Sequence, residues 1–580
     1  MVLLRLLLFF ISTIGSFELI RKACDDKVNI YFLPSLTIAI QVSVLFIAGL
    51  LNLLPETTIA LYLVGFAGII YRIWKERSLA FLKAYINPGY ILTFVLLLIF
   101  AVYLRGKILT HYDNFSHWGL VVRKMLEVDQ YPTLKDNLIE FKEYPLGSAT
   151  YIYYFAKLTR ASESFQMLAQ SYMLLAAFLP LYSFAKKNHL AVSAAVLSFI
   201  NYVLVFNVRI TDLLVDTLLP LVGICGLLFV YQYCKEDRKI MLLFAACCMV
   251  LVSQIKNSGI FFVTFAAIYI LALARNNNIY IYIYRGICIT VPFIYLLLWR
   301  KHCDYVFTSA ATSKHAMTFA NFESVFSGKT PESIKTICIS LLRFAVTYKE
   351  MWITVGICAL IGALILLVRK ELWIEFRKTA VLSLVIYVTY MIGMLGMYLF
   401  SMPGTEAGRL AQIERYTKTI LIAILYLNMV PAVMMISDLS GKKLMTAAAA
   451  ACMFGSFFAG MYISSGSITT VLQGEYDTSE RHYIKRHWIE DAIKKYEVPM
   501  ESSYCVLIPE KDDGYAYHLG TYLFQSSNMA EAVIKSEDDF NRIYQKYIFV
   551  YDQDNEIIRN WIQKVYPEQV GNEVIIQPVE

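Results

Sequence analysis

Charge is scarce in this chain. Asp, Glu, Lys and Arg make up 17% of its 580 residues, against about a quarter in a soluble globular domain. So small a share excludes an ordinary water-facing surface, and 58% hydrophobic residues with a mean hydropathy of +0.54 make the bilayer the expected main solvent. No CxxC pair and no Cys/His cluster with metal spacing occurs, which removes a zinc site. The 11 cysteines are odd in number and scattered mostly through apolar segments, and Cys247 and Cys248 are adjacent, so no disulfide framework is expected. Internal repeats and low-complexity linkers are also absent. The first 20 residues resemble a signal peptide, with Arg5 ahead of an apolar run. No small-residue cleavage site precedes residues 17–22, so the stretch is expected to remain a helix.

Long apolar runs are what the chain does have. Candidate spans lie near 2–20, 29–54, 57–74, 87–104, 164–184, 190–207, 211–233, 238–254, 258–275, 281–300, 351–369, 378–400, 417–437 and 442–464. The expected fold is mainly α: a polytopic transmembrane helix bundle of about 14 spans with a small extracytoplasmic C-terminal α/β module. The net charge of +7 is unevenly spread, because residues 465–580 hold 20 Asp and Glu against 11 Lys and Arg. The basic excess of the first 464 residues sits mostly in short loops and reads as topology, so no nucleic-acid partner is implied.

One orientation places the Lys and Arg clusters inside throughout: Arg21, Lys22 and Lys27; Arg72, Lys75, Arg77 and Lys83; Lys186 and Lys187; Lys235, Arg238 and Lys239; Arg275; Arg369, Lys370, Arg377 and Lys378; Lys442 and Lys443. This parity treats the Tyr-rich stretch 145–160 as an interfacial helix and not a span. Both termini then face outward. The outer face gathers segments 105–163, 301–350 and 401–416 with the acidic C-terminal region. In that last region 503–509, 546–552 and 573–579 read as strands, and 484–496 and 553–566 as helices. Three domains follow: 1–86, extra N-terminal spans; 87–464, the main membrane region; and 465–580, the α/β module.

Segment 105–163 opens with HYDNFSHW, placing Asp113 directly after a membrane helix. A carboxylate at that depth is costly without a role or a partner. Asp113 suits a general base or a metal ligand, and equally an N-cap for a helix over 114–128. Glu140 and Glu143 precede Tyr144 and Pro145 and return a second acid to the interface. Either is also an ordinary solvated loop acid. His111 and His117 could orient a substrate or simply be hydrogen-bonded. Segment 401–416 supplies Arg409 and, at the mouth of a helix, Glu414, Arg415 and Tyr416. Arginine binds phosphate through a planar fork, and it contacts headgroups or carboxylates equally well. Lys256, Arg209 and Asp212 are expected at the same face, with Asp212 and Asp216 one helical turn apart and Arg209 paired to Asp212. The stretch 333–348 reads as an amphipathic helix on the membrane. Asp552-Gln553-Asp554 matches an acid-x-acid clamp, but a turn after a strand explains it as well.

Together these features resemble the polytopic glycosyltransferases of the GT-C superfamily. The likeness covers roughly residues 87–464 and rests on Asp113 in HYDNFSHW, Tyr144-Pro145, and Arg415-Tyr416 at the start of a late helix. The acid here follows the fourth span, where members often place it after the first. The resemblance implies inverting transfer of a sugar from a polyprenyl-phosphate donor to a cell-envelope glycan or glycolipid acceptor at the outer face of a bacterial plasma membrane. Asp113 would be the base, with Glu143 as the second carboxylate. Arg415, with Arg409 or Lys256, would neutralise the departing phosphate. His111, His117, Trp118, Tyr144 and Tyr416 would bind sugar or lipid. A divalent cation, Mg or Mn, is the one cofactor left open, and Asn114 stands where some members carry a second adjacent acid. Two other readings remain: a polysaccharide ligase or polymerase, which commonly uses an Arg-rich outer loop, and a transporter or flippase of lipid-linked glycans.

Overall fold

The computed structural model describes residues 1–133, 138, 139, 141–236, 238–272, 279–307, 319–439, 443–465 and 476–578. Glu140, Arg275 and Lys442 lie outside the described residues. In chain order the helices are α1 (Val2–Ala23), α2 (Leu33–Leu50), α3 (Leu54–Glu76), α4 (Pro88–Tyr103), α5 (Gly119–Val128), α6 (Gly147–Leu158) and α7 (Glu163–Phe178). Then come α8 (His189–Phe206), α9 (Leu218–Glu236), α10 (Ile240–Ile255), α11 (Ile260–Ala272), α12 (Ile279–Val306), α13 (Phe319–Ser327), α14 (Pro331–Thr347) and α15 (Lys349–Val368). Last are α16 (Trp373–Phe400), α17 (Gly404–Gly408), α18 (Ile413–Asp438), α19 (Lys443–Ser465), α20 (Tyr476–Lys495), α21 (Tyr515–Phe524) and α22 (Glu556–Val565). Four strands, β1 (Tyr504–Leu507), β2 (Met529–Ala532), β3 (Tyr547–Val550) and β4 (Val574–Ile576), lie near the C-terminus.

The chain divides into two compact units. A helical unit takes Met1–Lys107, Val128–Tyr131 and Glu143–Leu472, and a sheet unit takes Ile108–Glu127, Pro132–Lys142 and Gln473–Glu580. Among the described residues, 11 helical stretches are long and apolar enough to cross a membrane, and Pro88–Tyr103, Ile240–Ile255 and Asn257–Ala272 are shorter apolar helices. This is a mainly helical integral membrane protein.

Burial separates central from peripheral helices. The apolar windows of α7 and α18 are 89% buried and that of α9 is 78% buried, while those of α3, α12 and α16 are buried by 28% or less. The former make the core; the latter keep broad apolar faces for lipid. α1 and α3 are packed through small residues, since a Cβ at Gly15 would fall 1.8 Å from the carbonyl oxygen of Gly65. The Tyr-rich stretch forms α6, whose 12 residues rise about 18 Å, too little for a hydrocarbon core of about 30 Å. Its first ten residues are buried, so it is enclosed by the helical unit and has little surface of its own to offer to lipid.

In the sheet unit the strand order is β2-β1-β3-β4, with β1 parallel to β2 and β3, and β4 antiparallel to β3. One face packs Cys505, Leu507, Ile548 and Val550 against Ile558 and Ile562 of α22, which Asn555 caps by accepting from the backbone N–H of Ile557 and Ile558. On the other face Tyr504 stacks on Phe524 of α21, with ring centroids 3.8 Å apart, and Phe549 meets Trp488 of α20. Helices thus cover both faces of a short sheet. Residues 108–127 are built into this unit: Arg486 donates to the Leu109 carbonyl, Arg123 to the Tyr522 carbonyl at 2.7 Å, and Phe115 packs on Tyr522.

Candidate functional sites

Three helix interruptions in the helical unit bring charge together. After α8 the chain runs without helix over 207–217 before entering α9. Pro220, which cannot donate a backbone hydrogen bond, sits in the first turn of α9, where that donor is not needed. Gln170 holds the irregular segment by donating to the carbonyls of Asp212 and Leu214, both at 3.0 Å, and Thr217 Oγ1 accepts from the Val208 N–H at 3.1 Å. Non-helical backbone of this kind is tolerated in a membrane bundle only where protein satisfies it. The expected helical face shared by Asp212 and Asp216 is therefore replaced by a pinned loop, and Asp212 meets Arg209 through its backbone N–H.

This loop delivers Asp216 into the interior, 2% exposed. Lys256, extended just beyond the end of α10, places Nζ 2.7 Å from Asp216 Oδ1. Arg415, in the first turn of α18, places Nε 3.5 Å from Asp216 Oδ2. Tyr416 lies beneath both cations, its ring centroid 5.1 Å from Lys256 Nζ and 5.7 Å from Arg415 Cζ. A buried carboxylate with two cations loses hydration that its partners must replace. A cation in the first turn of a helix opposes the helix dipole, and here Arg415 shares that turn with the exposed Glu414. The arrangement stabilises negative charge, as an arriving phosphate would bring.

Several other expected residues belong to the same unit. Residues 144–147 rest on the end of α10, for a Cβ at Gly147 would meet the Gln254 carbonyl at 2.6 Å, two residues before Lys256. Tyr144 and Glu143 are half-buried, and the Glu143 carbonyl accepts from Trp299 Nε1 at 2.9 Å. Arg409 is exposed and forms no ion pair among the described residues. The sequence placed Asp216 on a helix face with Asp212 and did not pair it with Lys256 or Arg415, and it gave no role to Gln170; Pro220 was the available signal that α9 starts after Asp216.

His111, Asp113, His117 and Trp118 belong to the sheet unit. Asp113 is half-buried at the N-cap position of a π-helical turn, Asn114–Trp118, but its side chain makes no capping hydrogen bond. Its backbone N–H donates to His111 Nδ1 at 3.1 Å. His117 is 2% exposed and packs edge-to-face on Trp118 and Phe141. No protein-family model, curated protein or solved structure matches the chain. Among the described residues no group of three His, Cys, Asp or Glu side chains is placed to hold a metal ion.

Proposed function

We propose that this protein is a membrane glycosyltransferase that moves a sugar from a polyprenyl-phosphate carrier to a cell-envelope glycan or glycolipid at the outer face, with inversion. The observation that carries this reading is the buried Asp216 carboxylate holding Lys256 and Arg415 over Tyr416. In such a reaction an acceptor hydroxyl oxygen bonds to the anomeric carbon and the bond from that carbon to the phosphate oxygen breaks. The electron pair leaves with the phosphate, where the two cations stabilise it, and the hydroxyl proton goes to a carboxylate. Asp113 is assigned as that base on the strength of its sequence setting. The three shorter apolar helices allow about 14 crossings beside the 11 long stretches, and the Lys and Arg pattern supports outward-facing termini.

Transfer of radiolabelled sugar in membranes tests the reading, with Arg415→Ala, Lys256→Ala and Asp113→Asn compared at equal protein level. Full transfer by Arg415→Ala removes the phosphate site, and full transfer by Asp113→Asn removes the base. A flippase of lipid-linked glycans is the second reading, favoured by the pinned non-helical segment 207–217 inside the bundle. It predicts movement of labelled lipid across vesicles without release of free polyprenyl phosphate.

A further inference from the structure

Parallel α/β sheets bind ligands beyond the carboxyl ends of their strands, where the strand order reverses. In the sheet unit that place is set by β1, which lies between β2 and β3 and runs parallel to both. The chain leaving β1 carries Asp512, β2 carries Glu531, and Tyr551 follows β3. Lys485 of α20 reaches the same edge, with Nζ 2.5 Å from Asp512 Oδ2 and over the rings of Tyr515 and Tyr551 at 5.7 and 5.5 Å. Glu531 is hydrogen-bonded to Asp512 and accepts from the Tyr517 N–H at 3.3 Å. Along the rim, Tyr112 and Tyr517 are 40% and 36% exposed and flank His518, with ring centroids 6.0 and 5.3 Å from it.

Charge distinguishes this edge from the Asp216 cluster. Burial, reinforced by Asp512, raises the Glu531 carboxyl to about 7, so the pair holds a proton more readily than free carboxylates do. His482, stacked on Tyr515, is lowered to about 4 by burial and by the nearby Lys485 and His111, and is neutral. The charge of Lys485 is answered by Asp512. Among the described ion pairs at this edge no cation is left over for a phosphate, while carboxyl oxygens that accept and donate hydrogen bonds stand beside the partly exposed rings of Tyr112 and Tyr517. That combination fits a ligand with many hydroxyls and apolar C–H faces.

We propose that the carboxyl edge of the parallel strands binds an uncharged glycan chain, with the rings of Tyr112 and Tyr517 under its sugars and the Asp512–Glu531 pair on its hydroxyls. Identification of this glycan as the acceptor rests on the transferase reading; the binding itself does not. Asp113 directly follows Tyr112 in the chain, so a glycan held there has the assigned base next to its contact residue.

The test is fluorescence anisotropy of full-length protein in lipid nanodiscs with labelled hexasaccharides of glucose, galactose, mannose, N-acetylglucosamine or rhamnose. At least one should bind. Tyr112→Ala and Tyr517→Ala should each weaken it by about three- to tenfold, Tyr112→Phe and Tyr517→Phe should not, and added inorganic phosphate should not compete. Amide exchange of β1 and β3 identifies any variant that has lost its fold. Binding of no hexasaccharide, unchanged binding by both alanine variants with folded strands, or displacement by phosphate overturns the proposal. Arg415→Ala separates the two readings: it should retain glycan binding whether or not transfer is lost.

Discussion

Two clusters of charge are buried in the helical unit, and they differ in how the charge is answered. Near the ends of α1 and α3, Glu18 is 1% exposed and pairs with Arg72 at 2.9 Å and Arg21 at 2.8 Å. Arg72 also meets Asp26 at 3.2 Å and Glu76 at 3.0 Å, and Tyr85 donates to Glu18. Three carboxylates meet two guanidiniums, and each guanidinium has more than one acid. At the starts of α9 and α18, one carboxylate, Asp216, serves two cations. The first cluster is redundant and reads as a clamp between helices; in the second, among the described residues, Lys256 and Arg415 share the one carboxylate of Asp216.

Substitution of the acids should expose that difference. Asp216→Ala leaves Lys256 and Arg415 without their shared carboxylate and should cost about 3–5 kcal/mol, measured as loss of thermal stability in detergent. Arg415→Ala, whose side chain is 22% exposed, should leave the fold largely intact and lower sugar transfer about 10²–10³-fold. If the comparison holds, Glu18→Gln costs less than Asp216→Ala, about 1–3 kcal/mol, because Asp26 and Glu76 still hold Arg72. Equal losses at Glu18 and Asp216 would erase the distinction.

The smallest effect concerns the sheet unit, where opposite shifts offset each other. Glu531, raised to about 7, keeps its proton in the folded state between about pH 4.5 and 7 while the unfolded chain releases it, so this group loses stability as pH rises. His482, lowered to about 4, is neutral when folded while the unfolded chain is protonated below about pH 6.5, so this group gains stability over about pH 4 to 6.5. Their slopes cancel in the overlap. Glu531→Gln should uncover a rise in β1 and β3 amide protection from pH 4.5 to 6.5, and His482→Phe a fall.

The long apolar helices were legible because hydropathy marks them directly, and α1, α2 and α16 follow the apolar runs closely. The segment 207–217 was not, since its leucines and valines continue the hydrophobic run and only Pro220 marks the helix start. β2 escaped because MAEA has little intrinsic preference for a strand and is recruited by the edge of β1. Lys256 and Arg415 stood out as charges beside apolar spans, but their meeting on Asp216 joins residues far apart in sequence, which no local pattern encodes. The same limit hid the anchoring of residues 108–127 to α20 and α21 through Arg123, Arg486 and Phe115.

That anchoring also sets an order of events during synthesis. The ribosome makes Asp113 and its flanking residues first, then everything from Glu143 to Leu472, and only afterwards the strands and helices that hold them. At about 5–20 residues per second the wait is roughly 15–70 s. Through that interval Phe115, Arg123 and Lys124 have none of their final partners from the C-terminal stretch. Completion of the Asp113 segment is thus timed to the last part of the chain, so a truncated product ending before the strands inserts its helices without assembling the surroundings of Asp113.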